Sequence, residues 1–414
     1  MVLYKDEPII DSVLDDDAYK FFMGQTIFEH FPEVPVTLES KNRTKSVPLA
    51  KYIDQMQLRE QLDHVQRLKL RDMEYRFMDD GANVKPELFS YNYLQLLKHR
   101  YLPDYEIERT PEDQYVIRSS GPWKTTTYWE IPVMKIQNAL YFQAKRKEEG
   151  LSEDQVWKIG ELRLLKKLKL MKEKGIAFTD FGNRRTYNPR WHRRALEIIM
   201  NEAPELLVGI SNVRYAMIFG KKSAGTIAHE FYMVLANMYG DLPEQIRGSF
   251  LKVLETWWNM YGADLAIVLT DTFGSEFCFR SITKEWAELY RRLRHDSGDP
   301  FKFGDRAIAF YQGHGIDPTT ATVVFSDGLD AELIVKLHEY FLGRIGTGYG
   351  WGTTLTNDMG FKTLSLVMKI VRANGLDAIK LSDNPAKVTG PAARVAYFKE
   401  VHGYVESDYV ECIV

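Results

Sequence analysis

Leu265-Ala266-Ile267-Val268-Leu269-Thr270 runs directly into Asp271-Thr272-Phe273-Gly274. An apolar run of strand length, with no polar alternation, suits a strand buried on both faces of a parallel sheet. It ends on a carboxylate, a hydroxyl and a glycine, the residue types of a polar turn. The pattern recurs. Ile176-Ala177-Phe178-Thr179 leads into Asp180-Phe181-Gly182-Asn183-Arg184-Arg185, and Leu206-Leu207-Val208 into Gly209-Ile210-Ser211-Asn212. Tyr290 to Leu293 leads into Arg294-His295-Asp296-Ser297-Gly298-Asp299, and Thr322-Val323-Val324-Phe325 into Ser326-Asp327-Gly328. The segment Arg344 to Gly352 and the run Ala378-Ile379-Lys380-Leu381 into Ser382-Asp383 complete the series. Most of these runs are followed by a helical stretch. Strands alternating with helices imply a mostly parallel sheet. This many units fit an irregular (β/α) barrel better than an open sheet. In a barrel the strand C-termini meet on one face, where active sites sit. The polar clusters fall at those ends, which argues for an enzyme.

Residues 1–145 read as a separate N-terminal α+β domain. Asp15-Asp16-Asp17 precedes an amphipathic helix carrying Tyr19, Phe22, Met23, Ile27 and Phe28. A strand is predicted over 34–40, with helical patterns over 49–67 and 86–98. Runs at 114–118 and 125–131 flank Ser120-Gly121-Pro122 and predict a hairpin. The barrel domain spans 146–385, and its helix at 153–174 has the basic surplus of a solvated outer face. Residues 386–414 are expected to form a C-terminal segment packing back on the N-terminal domain.

The 414 residues are 45% hydrophobic and 27% charged, with a net charge of −3. That balance argues against a nucleic-acid binder, which carries a basic excess. Cys278 and Cys412 make neither a metal spacing nor a disulfide framework, so a reducing compartment is expected. Met1 to Glu7 has no signal-peptide pattern, and no run is long enough for a membrane span. These features lead to the expectation of a cytoplasmic protein.

Ser223-Ala224-Gly225-Thr226-Ile227-Ala228-His229-Glu230 puts a histidine in the first turn of a helix predicted over Ala228 to Met238. Free N–H groups and the positive end of the dipole make that position a place for phosphate. A capping or partly buried histidine fits the same pattern. Gly343 to Gly352 holds five glycines in ten residues, as in a phosphate-binding loop or a flexible surface loop. Its spacing is not that of a dinucleotide fingerprint, since Trp351 stands at the last glycine position. Gly220-Lys221-Lys222-Ser223 fails as a Walker loop, with Tyr215 at the upstream glycine position. Arg294, Asp296, Asp271 and Asp327 suit a phosphosugar with Mg²⁺, although each aspartate alone fits a turn or cap. Phe181 beside Arg184 and Arg185 suits a flat anionic ligand. The histidines form no zinc spacing.

Taken in order, these motifs resemble the nicotinate phosphoribosyltransferases, type II phosphoribosyltransferases of compact length. The likeness is carried by Leu14-Asp15-Asp16-Asp17-Ala18-Tyr19-Lys20, Ser120-Gly121-Pro122-Trp123, Phe181 to Arg185 and Gly225 to Glu230. It continues through Leu269 to Gly274, Arg294 to Pro300, Phe325-Ser326-Asp327 and Lys380 to Pro385. The resemblance implies that nicotinate is joined to 5-phosphoribosyl 1-diphosphate, giving nicotinate mononucleotide and diphosphate in NAD biosynthesis. It implies coupled ATP hydrolysis through phosphorylation of His229, with Mg²⁺, in a homodimer with shared active sites. Phe181 and the partner's Tyr19 would sandwich the pyridine, and Arg184 would hold its carboxylate. Ser211 and Asn212 would lie near that group, where nicotinamide-using relatives carry an aspartate. Arg294, Asp296 and Asp271 would surround the ribose and Mg²⁺. Ser326, Asp327, Gly346 and Gly348 would take the 5-phosphate side, and Arg43 from the partner would reach the diphosphate. Asn183, Thr186, Tyr187 and Gly328 depart from the usual pattern, which bears on fine positioning. The alternatives are a nicotinamide or quinolinate phosphoribosyltransferase, or a non-catalytic phosphosugar-binding barrel.

Overall fold

A computed structural model describes residues 7–404; Met1 to Asp6 of the N-terminal stretch, and Cys412 with the rest of 405–414, lie outside the described residues. The strands are β1 (Pro35–Asn42), β2 (Tyr105–Arg109), β3 (Tyr115–Pro122), β4 (Phe178–Asp180), β5 (Leu207–Ile210) and β6 (Val268–Leu269). They continue with β7 (Arg292–His295), β8 (Thr322–Phe325), β9 (Gly346–Trp351), β10 (Leu366–Ala373) and β11 (Leu376–Asp377).

The predicted parallel sheet is present, in the order β5-β4-β9-β8-β7-β6, with every pair parallel. No strand pair joins its two edges among the described residues. Instead the segment entering the histidine motif runs beside β5, with Ile210 N–H donating to Lys222 O and Ala224 N–H to Ile210 O. Thr226 Oγ1 then reaches Ile267 O at 3.0 Å, tying that segment to the start of β6. The barrel is thus irregular at this seam.

The run 378–381 was expected as a further strand. It makes only an isolated bridge, Lys380 to Thr389, while Leu381 N–H donates to Thr272 O. The glycine-rich run, expected in the strand series and also readable as a loop, is the barrel strand Gly346–Trp351. A Cβ on Gly346 would sit 2.8 Å from Ala321 O, so the neighbouring strand approaches only where no side chain intervenes.

The N-terminal domain is built on an antiparallel sheet, β11-β10-β1-β3-β2. β1 alternates as predicted, with Val36, Leu38 and Ser40 buried. The expected hairpin of 114–118 with 125–131 is not formed. β3 pairs with β2, and the second run is helical, within Trp123–Thr126, Thr127–Trp129 and Glu130–Glu148. Trp123 and Trp129 are fully buried, and tertiary burial overrides the β-preference of the threonines between them. β10 returns from the barrel to pair with β1, so the sheet draws strands from both ends of the chain. Helix Ala392–His402 packs on helix Pro243–Tyr261 and on Phe273 of the barrel side, and the preceding segment faces the N-terminal sheet. Among the described residues no helix is long and apolar enough to cross a membrane.

Candidate active site

The strand ends of the barrel and the open face of the N-terminal sheet enclose a cavity of about 180 Å³. Helix Glu130–Glu148 is the spine between the two domains. Its Lys135, without solvent exposure, pairs with Asp15 and donates to Asn183 Oδ1 at 2.8 Å. Asn138 donates to Thr186 O, and Thr356 Oγ1 to Gly182 O at 2.8 Å. Asp180 accepts from Gly182 N–H at 2.8 Å and meets His192 on its other oxygen. The loop carrying Phe181 and Arg184 is therefore held from several sides by buried polar groups.

Phe181, Arg184, Tyr19 and Ser211 all line the cavity. A Cβ on Gly350 would lie 2.5 Å from the Phe181 ring, so the glycine makes room for that ring. Tyr19 N sits 2.5 Å from where a Gly225 Cβ would be, which fixes the Tyr19 helix against the histidine motif. Among the described residues no hydrogen bond or ion pair engages the Arg184 guanidinium, although it faces the cavity. Ser211 is buried beside the Asp17 carboxyl. Asn212 does not line the cavity. It caps the helix Val213–Phe219 and bonds Asp15 and Asn183, so its role is to hold the loop.

Tyr19 and Arg43 were expected from a partner subunit. Both reach the cavity from the same chain, Tyr19 on the helix Ala18–His30 and Arg43 at the end of β1.

His229 opens the helix His229–Leu235, shorter than predicted. Glu230, buried, accepts from Trp123 Nε1 at 2.6 Å and from Lys20 Nζ at 2.7 Å, anchoring that first turn. The imidazole Nδ1 lies 2.9 Å from Thr272 Oγ1. Nε2 lies 3.0 Å from Asp296 Oδ2, 2.7 Å from Lys380 Nζ and 3.6 Å from Asp271 Oδ1. Burial, then the Lys380 charge, push His229 down to about 4, so the ring is neutral near pH 7. Burial favours a neutral Asp271, but the Lys380 charge, with a hydrogen bond from Ser297, outweighs it and holds the carboxyl below its usual range. The Arg294 charge and the hydrogen bond to His229 do the same for Asp296. Arg294 donates to Asp296 at 2.8 Å and to Ser326 Oγ at 2.8 Å, and lies 5.8 Å from the Phe181 ring. Asp327 pairs with Lys387 at 2.6 Å.

Gly346 and Gly348 do not line the cavity. Their strand delivers Gly352, Thr353 and Thr354 to it, beside Gly328 and Leu329. The sequence reading also missed Lys380, Lys369, Lys387 and Asp17, all of which line the cavity. Lys380 stood inside a quoted motif but had no assigned task. Asp17 likewise stood in the motif around Tyr19 without a task, whereas Lys369 and Lys387 come from the return segment and carry no local signal.

A divalent cation fits the acidic pair. Asp271 Oδ1 is buried without a hydrogen bond, and oxygens of Asp271 and Asp296 lie with a His229 nitrogen within 4.8 Å of one another. Hard carboxylate donors of this kind suit Mg²⁺.

The model of the nicotinate phosphoribosyltransferase (NAPRTase) family matches residues 176–406, and that of the family's N-terminal domain matches 14–138. Among solved structures the chain is similar to a nicotinate phosphoribosyltransferase from Porphyromonas gingivalis, with 28% identity and a TM-score of 0.85 over 95% of this chain and 100% of that one. It is equally similar to a nicotinate phosphoribosyltransferase from Vibrio cholerae, with 29% identity and a TM-score of 0.85 over 97% and 96%.

Proposed function

Because the chain belongs to the nicotinate phosphoribosyltransferase family, we propose that the residues at its barrel mouth join nicotinate to 5-phosphoribosyl 1-diphosphate. The observation that carries the assignment of the base is the unpaired Arg184 guanidinium in a cavity lined by Phe181 and Tyr19. Two aromatic faces and a bidentate cation suit a pyridine carboxylate. Ser211 adds a neutral hydroxyl beside Asp17. Burial pushes the Asp17 carboxyl above its usual range, which lessens the negative charge that meets an acid there.

The ring nitrogen of nicotinate attacks C1 of the ribose while the C1–O bond to diphosphate breaks, the electron pair leaving on that oxygen. Asp271 and Asp296 face the positive charge that develops on the sugar. Arg294, Lys380, Lys387 and Arg43 receive the negative charge of the leaving group. No protein nucleophile is needed at C1. Asp271 and Asp296 would hold Mg²⁺, which supplies further charge neutralisation to the diphosphate.

His229 is the phosphoryl acceptor of the ATP-coupled cycle. An imidazole nitrogen attacks the γ-phosphorus, the bridging bond to the β-phosphate breaks, and ADP departs. Water later releases the phosphate. A neutral imidazole, partly open to the cavity and with Lys380 Nζ at 2.7 Å to meet an incoming phosphate, supports this role. With Tyr19 and Arg43 supplied in cis, the catalytic unit is one chain, and a homodimer would set two whole sites side by side.

The test is turnover with nicotinate, nicotinamide and quinolinate, each with and without ATP. Nicotinate should be preferred, with ATP raising its turnover. Equal use of nicotinamide would overturn the base assignment. Acid-labile label from γ-labelled ATP that survives His229→Ala would overturn the phosphoryl role.

A further inference from the structure

Lys369 lines the catalytic cavity but has no task in the reaction above. It stands in the middle of β10, where Val367, Lys369 and Val371 are half-buried on one face and Met368 and Ile370 are buried on the other. Its partner across the sheet is Glu39, and side chains opposed in this way can pair. These two do not. Glu39 Oε2 instead accepts from Arg118 Nη2 at 2.7 Å and from Arg118 Nε at 3.1 Å, so the carboxylate is taken by the arginine.

What Lys369 meets is neutral or positive. Its Nζ donates to Thr389 Oγ1 at 3.1 Å and to Lys387 O at 3.4 Å. Among the described residues no carboxylate lies within ion-pair distance of it. Arg43, Lys380 and Lys387 line the same cavity. Lys380 is held by Asp271 at 3.2 Å and Lys387 by Asp327 at 2.6 Å, whereas Arg43 has no carboxylate partner among the described residues. Burial, then the charges of Lys380, Arg43 and Lys387, hold the Lys369 amine well below its usual range, and Asp271 offsets only part of this. A lysine depressed in this way keeps more of its amine uncharged, and the uncharged amine is a nucleophile. A trough of about 1030 Å³ along the N-terminal sheet, which Lys369 also lines, opens it to small molecules.

We propose that Lys369 is a carbamylation site that takes up carbon dioxide. The Nζ lone pair attacks the carbon, the N–C bond forms as one C–O π pair moves onto oxygen, and an Nζ proton leaves to water. A neutral amine thereby becomes an anionic carbamate. The surroundings select this adduct over others. An acetyl group would gain nothing from the nearby cations, and a protonated imine would be repelled by them, whereas a carbamate presents a negative charge to Arg43 and the two lysines. That charge sits where the diphosphate of 5-phosphoribosyl 1-diphosphate would go, so modified molecules are closed to the substrate. The competition, though not the adduct, rests on the reaction proposed above.

The experiment equilibrates the whole chain with isotope-labelled bicarbonate and carbon dioxide at mildly alkaline pH and reads it by carbon NMR. A carbamate resonance beyond that of the amino terminus should appear, vanish in Lys369→Gln, and weaken when inorganic diphosphate is added. Alkylating the adduct with an oxonium reagent, followed by peptide mass analysis, identifies the modified lysine in the native chain, so the result does not depend on a variant folding. Where half the molecules are modified, the apparent KM for 5-phosphoribosyl 1-diphosphate should about double while kcat holds. Formate at the same ionic strength should not reproduce that rise. Label on other amines but not on Lys369 would overturn the proposal. A KM rise matched by formate, or no rise with Lys369 labelled, would overturn the competition and uphold the site only where the label is found. Labelled Lys369 in a chain that transfers no phosphoribosyl group would remove the reaction and leave the modification site standing.

Discussion

His192 Nε2 lies 2.8 Å from Asp180 Oδ2, and neither side chain has solvent exposure. The carboxylate's other oxygen accepts from Gly182 N–H at 2.8 Å, so the pair sets the backbone between Phe181 and Arg184. His192→Ala leaves one oxygen of a buried carboxylate without its hydrogen bond and should cost about 1–3 kcal/mol in chemical denaturation. His192→Asn keeps a donor and should recover much of that loss. In the Asn variant the nicotinate KM should rise several-fold while the 5-phosphoribosyl 1-diphosphate KM holds. If the two constants rise together, the pair acts only on general stability.

Arg184 faces the cavity with no internal partner to release, so its full hydrogen-bonding capacity is open to a carboxylate. Arg184→Gln should remove about 1.5–3 kcal/mol of charged hydrogen bonding, a rise of about 10–150-fold in nicotinate KM. Steady-state kinetics with each substrate varied would show whether the loss is confined to nicotinate.

A site completed within one chain has a simple kinetic signature. Mixing Tyr19→Ala with His229→Ala should restore no activity, at any ratio. If the site were shared between subunits, mixed dimers would contain one intact site and activity would return.

His402 is stacked on Phe273 at 4.5 Å, its Nδ1 donating to Phe398 O at 2.7 Å, while Nε2 is buried with no partner among the described residues. Burial pushes this imidazole down to about 4 from an ordinary value of 6.5. Between those values the unfolded chain binds the extra proton and the folded one does not, so stability rises with pH. The contribution is complete above pH 6.5 and is lost as pH falls through 4, up to about 3 kcal/mol. His402→Phe should therefore flatten the fall in stability relative to the native chain over that window. Comparing urea midpoints at matched pH cancels the other titrating groups.

The barrel strands were legible because each is short, apolar and closed by a polar turn, which is a local signal. The same locality explains the errors. Thr125-Thr126-Thr127-Tyr128-Trp129 has strand chemistry, yet burial of Trp123 and Trp129 makes it helical. The glycines of β9 looked like a loop because their purpose lies outside the strand: Gly346 admits Ala321 O and Gly350 admits Phe181. Of the site, Arg294, Asp296 and Ser326 line the cavity at their strand ends, Asp271 lies buried behind them against His229, and Gly346 and Gly348 were placed one strand-length too early. Lys369, Lys380 and Lys387 arrive from the return segment, and no short window of sequence relates them to His229.

The pairing of β10 with β1 also sets an order of assembly. β1 leaves the ribosome early, but its neighbour Leu366–Ala373 follows only after the whole barrel has been synthesised. One edge of β1 must wait, unpaired, through that interval, exposed to strand-edge association. A nascent chain stopped at the end of β9 would carry Asp271, Asp296 and Asp327 but none of Lys369, Lys380 and Lys387. The strand that completes the sheet thus also brings the first of the cavity's missing lysines.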